Sequence, residues 1–142
     1  MPRVIDGKRV ETTAAAGLTL VLVDTSAWIS FLRPDGDAAV RARVAAHLTA
    51  GTARWCSIVR LELWNGAGGD REKKVLREFE RLIPDLAITP EVWNEACELA
   101  RRCRSAGVSA PATDVLIAAC AGHYGATLEH LDSDFDLIAA AG

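Results

Sequence analysis

Residues 18–23 form a continuous apolar run, Leu-Thr-Leu-Val-Leu-Val, that strongly restricts the folds open to this chain. A strand with one face in solvent alternates apolar and polar side chains, whereas this run has no charged face. The pattern is typical of a central strand in a parallel sheet, which is buried on both faces. Asp24 ends the run, so a carboxylate is predicted at the carboxyl end of a buried strand.

Signals for helices and further strands alternate along the rest of the chain. Asp37 and Gly51 are typical of the start and the end of a helix, and Pro90 fits the first turn of another. The predicted strands after the first are 54–57, 86–88 and 126–129, and the predicted helices are 37–49, 58–64, 70–83, 90–107, 111–122 and 133–141. This order indicates an α/β fold of three layers, with a central parallel sheet flanked by helices.

The length of 142 residues fits one domain. Residues 1–17 are predicted to be an N-terminal arm outside the core, and residues 18–142 to be the folded domain. The basic residues before Leu18 superficially resemble the start of a signal peptide. Asp24 interrupts the apolar run after a few residues, which favours a buried strand instead.

Four acidic side chains occur within apolar segments that are far apart in the sequence. Asp24 and Asp132 follow predicted strands, and Glu62 and Asp114 lie in predicted helices. Ligands of open parallel sheets gather at the carboxyl ends of the strands, so the two strand-end acids are expected to lie close together. Clustered carboxylates repel one another and favour a hard divalent cation such as Mg²⁺ or Mn²⁺. Asp134 is a further candidate ligand.

The net charge of −3 is only weak evidence against a nucleic-acid ligand. Setting aside the five candidate ligands among the 19 acidic residues leaves 14 against 16 Lys and Arg. The rest of the molecule is therefore slightly basic, and a bound cation would offset the charge of the site. The composition does exclude a broadly basic surface of the kind that binds nucleic acid without specificity.

The four cysteines show no Cys-x-x-Cys pair, which argues against a zinc site and against thioredoxin-like chemistry. Most of them lie in apolar contexts, where a free cysteine behaves as a small buried hydrophobic residue. A reducing compartment, the cytoplasm, is therefore predicted. No segment is apolar over the length of a membrane-spanning helix, so no membrane partner is expected.

Four segments together resemble the acidic motifs of PIN-domain nucleases, and most closely those of the VapC-type toxins of toxin–antitoxin pairs. They are Val-Asp-Thr-Ser-Ala-Trp at 23–28, Leu-Glu-Leu at 61–63, Thr-Asp-Val-Leu-Ile-Ala-Ala at 113–119 and Leu-Glu-His-Leu-Asp-Ser-Asp-Phe-Asp at 128–136. Each motif alone is short. Their order and spacing make the resemblance specific, and it extends over nearly the whole predicted domain.

The resemblance implies a Mg²⁺- or Mn²⁺-dependent endoribonuclease that is inhibited by a cognate antitoxin. By position, the catalytic acids and metal ligands would be Asp24, Glu62, Asp114 and Asp132, with Asp134 as a further ligand. The hydroxyl of Thr25 or Ser26 would orient water or a carboxylate. The resemblance also implies a homodimer or a larger toxin–antitoxin assembly.

Each of these residues also has a simple structural explanation. Asp24 and Asp114 could cap or favour helix N-termini, and Glu62 could be a solvated helix residue. Arg101, Arg102 and Arg104 are candidate RNA-phosphate contacts, although the sequence slightly favours an ordinary charged surface for them. Four separate structural explanations are less economical than one shared site.

Two other functions remain open from the sequence. One is a catalytically silent PIN-like interaction module, although such a module would be free to lose its acids and all four are present. The other is a phosphohydrolase that uses Asp24 as a nucleophile. Enzymes of that kind carry a second Asp two residues later, where this chain has Ser26.

Overall fold

A computed structural model of the protein describes residues 18–142, and the predicted arm at 1–17 lies outside the described residues. Three strands and seven helices are present in the described part of the chain. The strands are β1 (Val21–Val23), β2 (Ala53–Arg54) and β3 (Thr127–Glu129). The helices are α1 (Thr25–Leu32), α2 (Ala38–Ala50), α3 (Ser57–Gly66), α4 (Asp70–Leu82), α5 (Pro90–Ser105), α6 (Ala112–His123) and α7 (Asp134–Ala141).

The sheet is parallel, and its strand order β2-β1-β3 places the first apolar run in the centre. Val21 pairs with Ala53 on one side and with Thr127 on the other. All three residues of β1 are buried, as expected for a strand covered on both faces. The predicted α/β fold with a central parallel sheet flanked by helices is therefore confirmed.

The structure differs from the predicted elements in two places. Residues 25–32 form α1 directly after Asp24, although no helix was predicted there. The segment contains Thr, Trp, Ile and Phe, whose helix propensity is modest, so its cap and its burial stabilise it more than propensity does. The predicted strand 86–88 is not formed. A single bridge, Trp55 with Asp85, takes its place beside β2.

A cluster of aromatic side chains fills the core beside the sheet. Trp28 of α1 is fully buried and lies 5.1 Å from Phe79 of α4 and 6.4 Å from Trp55, measured between ring centroids. These contacts join α1 to α4 and to the end of β2. They fix the direction in which α1 leaves β1, and hence the position of the residues that follow Asp24.

The predicted ends of α2 are confirmed. Asp37 is the N-cap, and its Oδ1 accepts a hydrogen bond from the Val40 N–H at 2.9 Å. Gly51 ends the helix in the left-handed conformation with φ of 74°, which costs glycine little because it has no Cβ.

Replacement of Asp37 by alanine is expected to lower the free energy of unfolding by about 1 kcal/mol, since the first turn of α2 loses its side-chain acceptor. Urea denaturation followed by circular dichroism measures the change. Asp35→Ala, at a neighbouring exposed position, is the control and should stay within about 0.5 kcal/mol of the wild type. Equal effects of the two substitutions would contradict the capping role.

Candidate functional site

Asp24 lies at the junction of β1 and α1 and is almost completely buried, with 4% exposure. Its Oδ2 accepts hydrogen bonds from the backbone N–H of Ser26 at 3.0 Å and from Ser26 Oγ at 2.7 Å. Its own N–H donates to the carbonyl oxygen of Glu129 at 2.9 Å. Asp24 is therefore both the N-cap of α1 and a carboxylate fixed at the carboxyl end of the central strand.

Glu62 is connected to the region around Asp24 through the side chain of Thr25. Thr25, the first residue of α1, donates its Oγ1 hydrogen to Glu62 Oε1 at 2.6 Å. The two residues are 37 positions apart in the sequence, so this bond joins α3 to the start of α1. The predicted supporting roles of both hydroxyls have a geometric basis, since Ser26 holds Asp24 and Thr25 holds Glu62.

Three of the predicted acids converge directly. Asp114 is in the first turn of α6, and Asp132 and Asp134 lie at the start of α7. Each can present one carboxylate oxygen within 4.8 Å of the other two. Asp132 Oδ1 also accepts a hydrogen bond from the Asp134 N–H at 2.9 Å, which fixes the spacing of these two acids.

The electrostatics of Asp114 extend this cluster to Asp24. Burial raises the pKa of Asp114 to about 6, and the negative charges of Asp132, Asp24 and Asp134 add to the increase. An isolated Asp at a helix N-terminus would be stabilised in its charged form, so here burial and the neighbouring acids outweigh the helix dipole. The four aspartates therefore form one electrostatic unit, and Glu62 is connected to it through Thr25.

The donor set fits a hard divalent cation. Asp114, Asp132 and Asp134 offer carboxylate oxygens, which Mg²⁺ and Mn²⁺ prefer, and their mutual repulsion would be relieved by a positive ion. Burial is the main cause of the raised pKa of Asp114, and the repulsion from the neighbouring aspartates adds to it. Asp24 and Glu62 are not members of this close triplet.

Contacts of the segment between β3 and α7 complete the site, and sequence reasoning missed them. Ser26 Oγ accepts a hydrogen bond from the Leu131 N–H at 3.0 Å while it donates to Asp24. His130 Nδ1 accepts a hydrogen bond from the Asp132 N–H at 3.3 Å, and its ring packs on Phe135. Ser26 and Leu131 are 105 positions apart in the sequence, and no local pattern signals their contact.

Glu129 was also missed as a residue of this region. Its carboxylate pairs with Arg43 and contacts His47, both of α2. Glu129 immediately precedes the segment that carries Asp132. That position is the only signal in the sequence that could have suggested a supporting role.

The three candidate RNA contacts lie near the C-terminus of α5 and are exposed. Arg101 forms an ion pair with Glu98 on the same helix. Arg104 and Ala112 line the same cavity of about 430 Å³, so this end of α5 lies beside the start of α6. The contact of the three arginines with RNA stays a prediction.

An apolar groove of about 410 Å³ lies between α1, α3 and α4, and Glu62 is part of its wall. Its remaining lining is mainly aliphatic, with two arginines and one further glutamate, and comprises Ile29, Leu32, Arg33, Pro34, Leu63, Gly66, Ala67, Arg71, Glu72, Val75 and Leu76. The groove therefore connects an apolar surface to the acidic site.

Two further predictions concern the cysteines and the presence of a membrane-spanning helix. The four cysteines are free, and only Cys97 is exposed. Within 18–142, none of the helices combines the length and the apolar character needed to cross a lipid bilayer.

Comparison with known proteins identifies the family. The PIN domain model matches residues 21–141. The VapC ribonuclease Mb1587 of Mycobacterium bovis is 33% identical over 84% of this chain and 92% of its own length, and ribonuclease VapC21 of Mycobacterium tuberculosis is 32% identical over 72% and 76%.

Solved structures show the same fold. FitAcB from Neisseria gonorrhoeae has a TM-score of 0.68 at 22% identity and covers 84% of this chain and 94% of its own. VapBC2 from Rickettsia felis, solved with a DNA fragment from its promoter, has a TM-score of 0.63 at 16% identity over 77% and 84%. The chain therefore belongs to the PIN domain family, and it is similar within that family to the VapC ribonucleases.

Proposed function

We propose that this protein is a Mg²⁺- or Mn²⁺-dependent endoribonuclease toxin of the VapC type, active in the cytoplasm. The observation that carries the proposal is the convergence of Asp114, Asp132 and Asp134 beside the buried Asp24. The relatives that share a third of its residues are ribonucleases, and a cluster of carboxylates suits phosphodiester hydrolysis through divalent ions.

The proposed ligands are Asp24, Glu62, Asp114 and Asp132, with Asp134 as a further ligand. When bound, one or two divalent ions would act as Lewis acids that lower the pKa of water and offset charge on the phosphate. Asp114 has to release its proton before it can ligate, because its pKa is raised to about 6. Activity should therefore increase as the pH rises through 6.

The hydroxyls of Thr25 and Ser26 keep the carboxylates in place. Ser26 donates two hydrogen bonds to Oδ2 of Asp24, so Oδ1 is the oxygen that we expect to bind a cation. Thr25 fixes one oxygen of Glu62 in the same way. Each acid thus has one oxygen held by the protein, which limits rotation of the carboxylate and preorganises the ligand set.

The RNA backbone would pass over the positively charged end of α5. That end carries the exposed Arg101, Arg102 and Arg104, and it lies beside the start of α6. Arginine side chains are well suited to phosphate contacts. We expect them to contribute to RNA affinity and not to the hydrolytic step.

An antitoxin is the proposed protein partner. The apolar groove between α1, α3 and α4 suits a hydrophobic segment of that partner, and Glu62 in its wall suits an arginine brought close to the acids. Such an arginine would compete electrostatically with the metal. FitAcB and VapBC2 share this fold, and we propose a homodimer or a larger toxin–antitoxin assembly for this chain too.

The test is cleavage of total cellular RNA by the purified, antitoxin-free protein with Mn²⁺ or with EDTA. Discrete fragments should appear with Mn²⁺, be absent with EDTA, and return when excess Mn²⁺ is added. A purification from cells without the gene controls for contaminating nucleases. Intact RNA under every condition, from protein whose fold is verified by circular dichroism, would contradict the proposal and favour a silent interaction module.

A further inference from the structure

Glu129, the last residue of β3, is held by an arginine and a histidine from α2. Arg43 donates from Nε to both carboxylate oxygens at 3.1 Å and from Nη2 to Oε2 at 3.0 Å. His47, one helical turn further along α2, places Nε2 3.4 Å from Oε1. The Glu129 side chain is 10% exposed whereas that of Arg43 is 52% exposed, so a nearly buried carboxylate is anchored to a surface helix.

The backbone of Glu129 contacts the acidic site directly. Its carbonyl oxygen accepts the N–H of Asp24 at 2.9 Å, which is the last hydrogen bond between β1 and β3. The next residues along the chain carry Asp132 and Asp134. Any movement of Glu129 would therefore displace the acids on both sides of it.

Strand β3 needs such an anchor. It is only three residues long and is an edge strand, bonded to β1 alone within the described sheet. The segment that follows it places Asp132 and Asp134 close to Asp114 and Asp24, whose like charges repel them. A short strand paired on one side opposes that repulsion weakly, since the ends of small elements open locally at low cost.

We propose that Glu129, clamped by Arg43 and His47, is a positioning residue that holds the end of β3 and keeps Asp132 and Asp134 in register with Asp24. The effect on cleavage rests on the proposed nuclease function. Glu129 is not a further metal ligand, because Arg43 donates hydrogen bonds to both of its oxygens. The pair also neutralises a carboxylate that would otherwise add to the negative charge of the site.

The two-point contact between Arg43 and Glu129 is the part that can be tested selectively. A guanidinium binds a carboxylate in a fixed orientation, whereas a lysine ammonium provides charge without that geometry. Arg43 is half exposed, so its replacement leaves the core unchanged. The guanidinium side of the pair is in solvent, so the pair contributes less to global stability than one with both groups buried. We therefore expect the larger effect at the acids.

The decisive experiment measures Mn²⁺ affinity without RNA, by electron paramagnetic resonance of free Mn²⁺, for the wild type, Arg43→Gln and Arg43→Lys. Loss of the contact that holds Glu129 should weaken Mn²⁺ binding roughly tenfold in Arg43→Gln, as expected for a residue that acts on the ligands through their support, with Arg43→Lys intermediate. Arg81→Gln is the control for the loss of an arginine ion pair as such, since Arg81 pairs with Glu78 on α4 and both side chains are exposed. It should bind Mn²⁺ like the wild type.

Cleavage kinetics and thermal unfolding complete the test. We expect kcat to fall in Arg43→Gln while KM for RNA and the unfolding midpoint of the metal-free protein stay close to the wild type. Mn²⁺ affinity that is unchanged in both Arg43→Gln and Glu129→Gln would overturn the positioning role, and a rise in KM alone would show direct RNA contact instead. A wild type that binds no Mn²⁺ would overturn the proposed function itself, and the inference with it.

Discussion

Replacement of Asp24 by asparagine is expected to lower the rate of RNA cleavage by about a thousandfold, or roughly 4 kcal/mol of transition-state stabilisation. Asp24 is buried at the carboxyl end of the central strand, and its charge acts on Asp114. Asparagine removes that charge and weakens the binding of a divalent ion to the cluster. The fold should persist, because asparagine caps a helix as well as aspartate does.

Single-turnover cleavage of a defined RNA fragment in Mn²⁺ gives the rate, and circular dichroism verifies the fold. Asp37→Asn is the matched control, since Asp37 is the N-cap of α2 as Asp24 is of α1. It should cleave at the wild-type rate. Undiminished cleavage by Asp24→Asn would exclude Asp24 from the catalytic acids.

Local signals in the sequence were sufficient to predict most elements of the fold. The apolar run at 18–23 predicted the central parallel strand, because only burial on both faces explains a strand without a charged face. Asp37 and Gly51 predicted the ends of α2, and Pro90 the start of α5. Each of these signals acts within one turn of helix or one strand, so it can be read without knowledge of the tertiary structure.

The elements that were missed depend on distant partners. Helix α1 has an ordinary propensity and is fixed by Trp28 packing against Phe79 and Trp55. The segment 86–88 has a strand-like composition, but only Asp85 finds a bridge partner, in Trp55. Whether such segments become regular structure is decided by packing and by hydrogen-bond partners from elsewhere in the chain.

The candidate site was predictable only in part, because some of its contacts join residues that are far apart in the sequence. Strand ends predicted the proximity of Asp24 and Asp132, whereas Glu62 and Asp114, which lie on helices, were joined to the site only by the resemblance to a family. The contacts that hold these acids were not predictable. Thr25 reaches Glu62 across 37 positions, and Arg43 reaches Glu129 across 86.

The second large effect concerns the metal-free protein, which is expected to become more stable when Asp114 is replaced by asparagine. The pKa of Asp114 is raised to about 6 by burial and by the neighbouring aspartates, so ionisation at neutral pH opposes folding. The shift alone corresponds to roughly 3 kcal/mol. Asp114 is only partly buried and water screens its charge, so about 1 kcal/mol is expected, or roughly 4 °C in the unfolding midpoint at pH 7.5.

The pH dependence follows from the sign of the shift. Because the folded protein binds the proton more tightly than the unfolded chain, the contribution of Asp114 to stability rises as the pH falls from 7.5 through about 6 and levels off near 4. The wild-type midpoint in EDTA should therefore rise over this range relative to that of Asp114→Asn. Asp136→Asn is a suitable control, since Asp136 is an exposed acid near the site and outside the triplet.

Added Mn²⁺ should reverse the order of stability, so that the wild type becomes more stable than Asp114→Asn. A ligand that binds only the folded state at a hundred times its dissociation constant contributes about 2.7 kcal/mol, and Asp114→Asn forfeits most of this because it lacks one of the converging carboxylates. Differential scanning fluorimetry in EDTA and in Mn²⁺ at pH 7.5 measures both effects. If Asp114→Asn were less stable than the wild type in EDTA, the aspartates would not be under electrostatic strain. If Mn²⁺ stabilised both proteins equally, Asp114 would not be a ligand, and any metal site would have to be formed by the other acids.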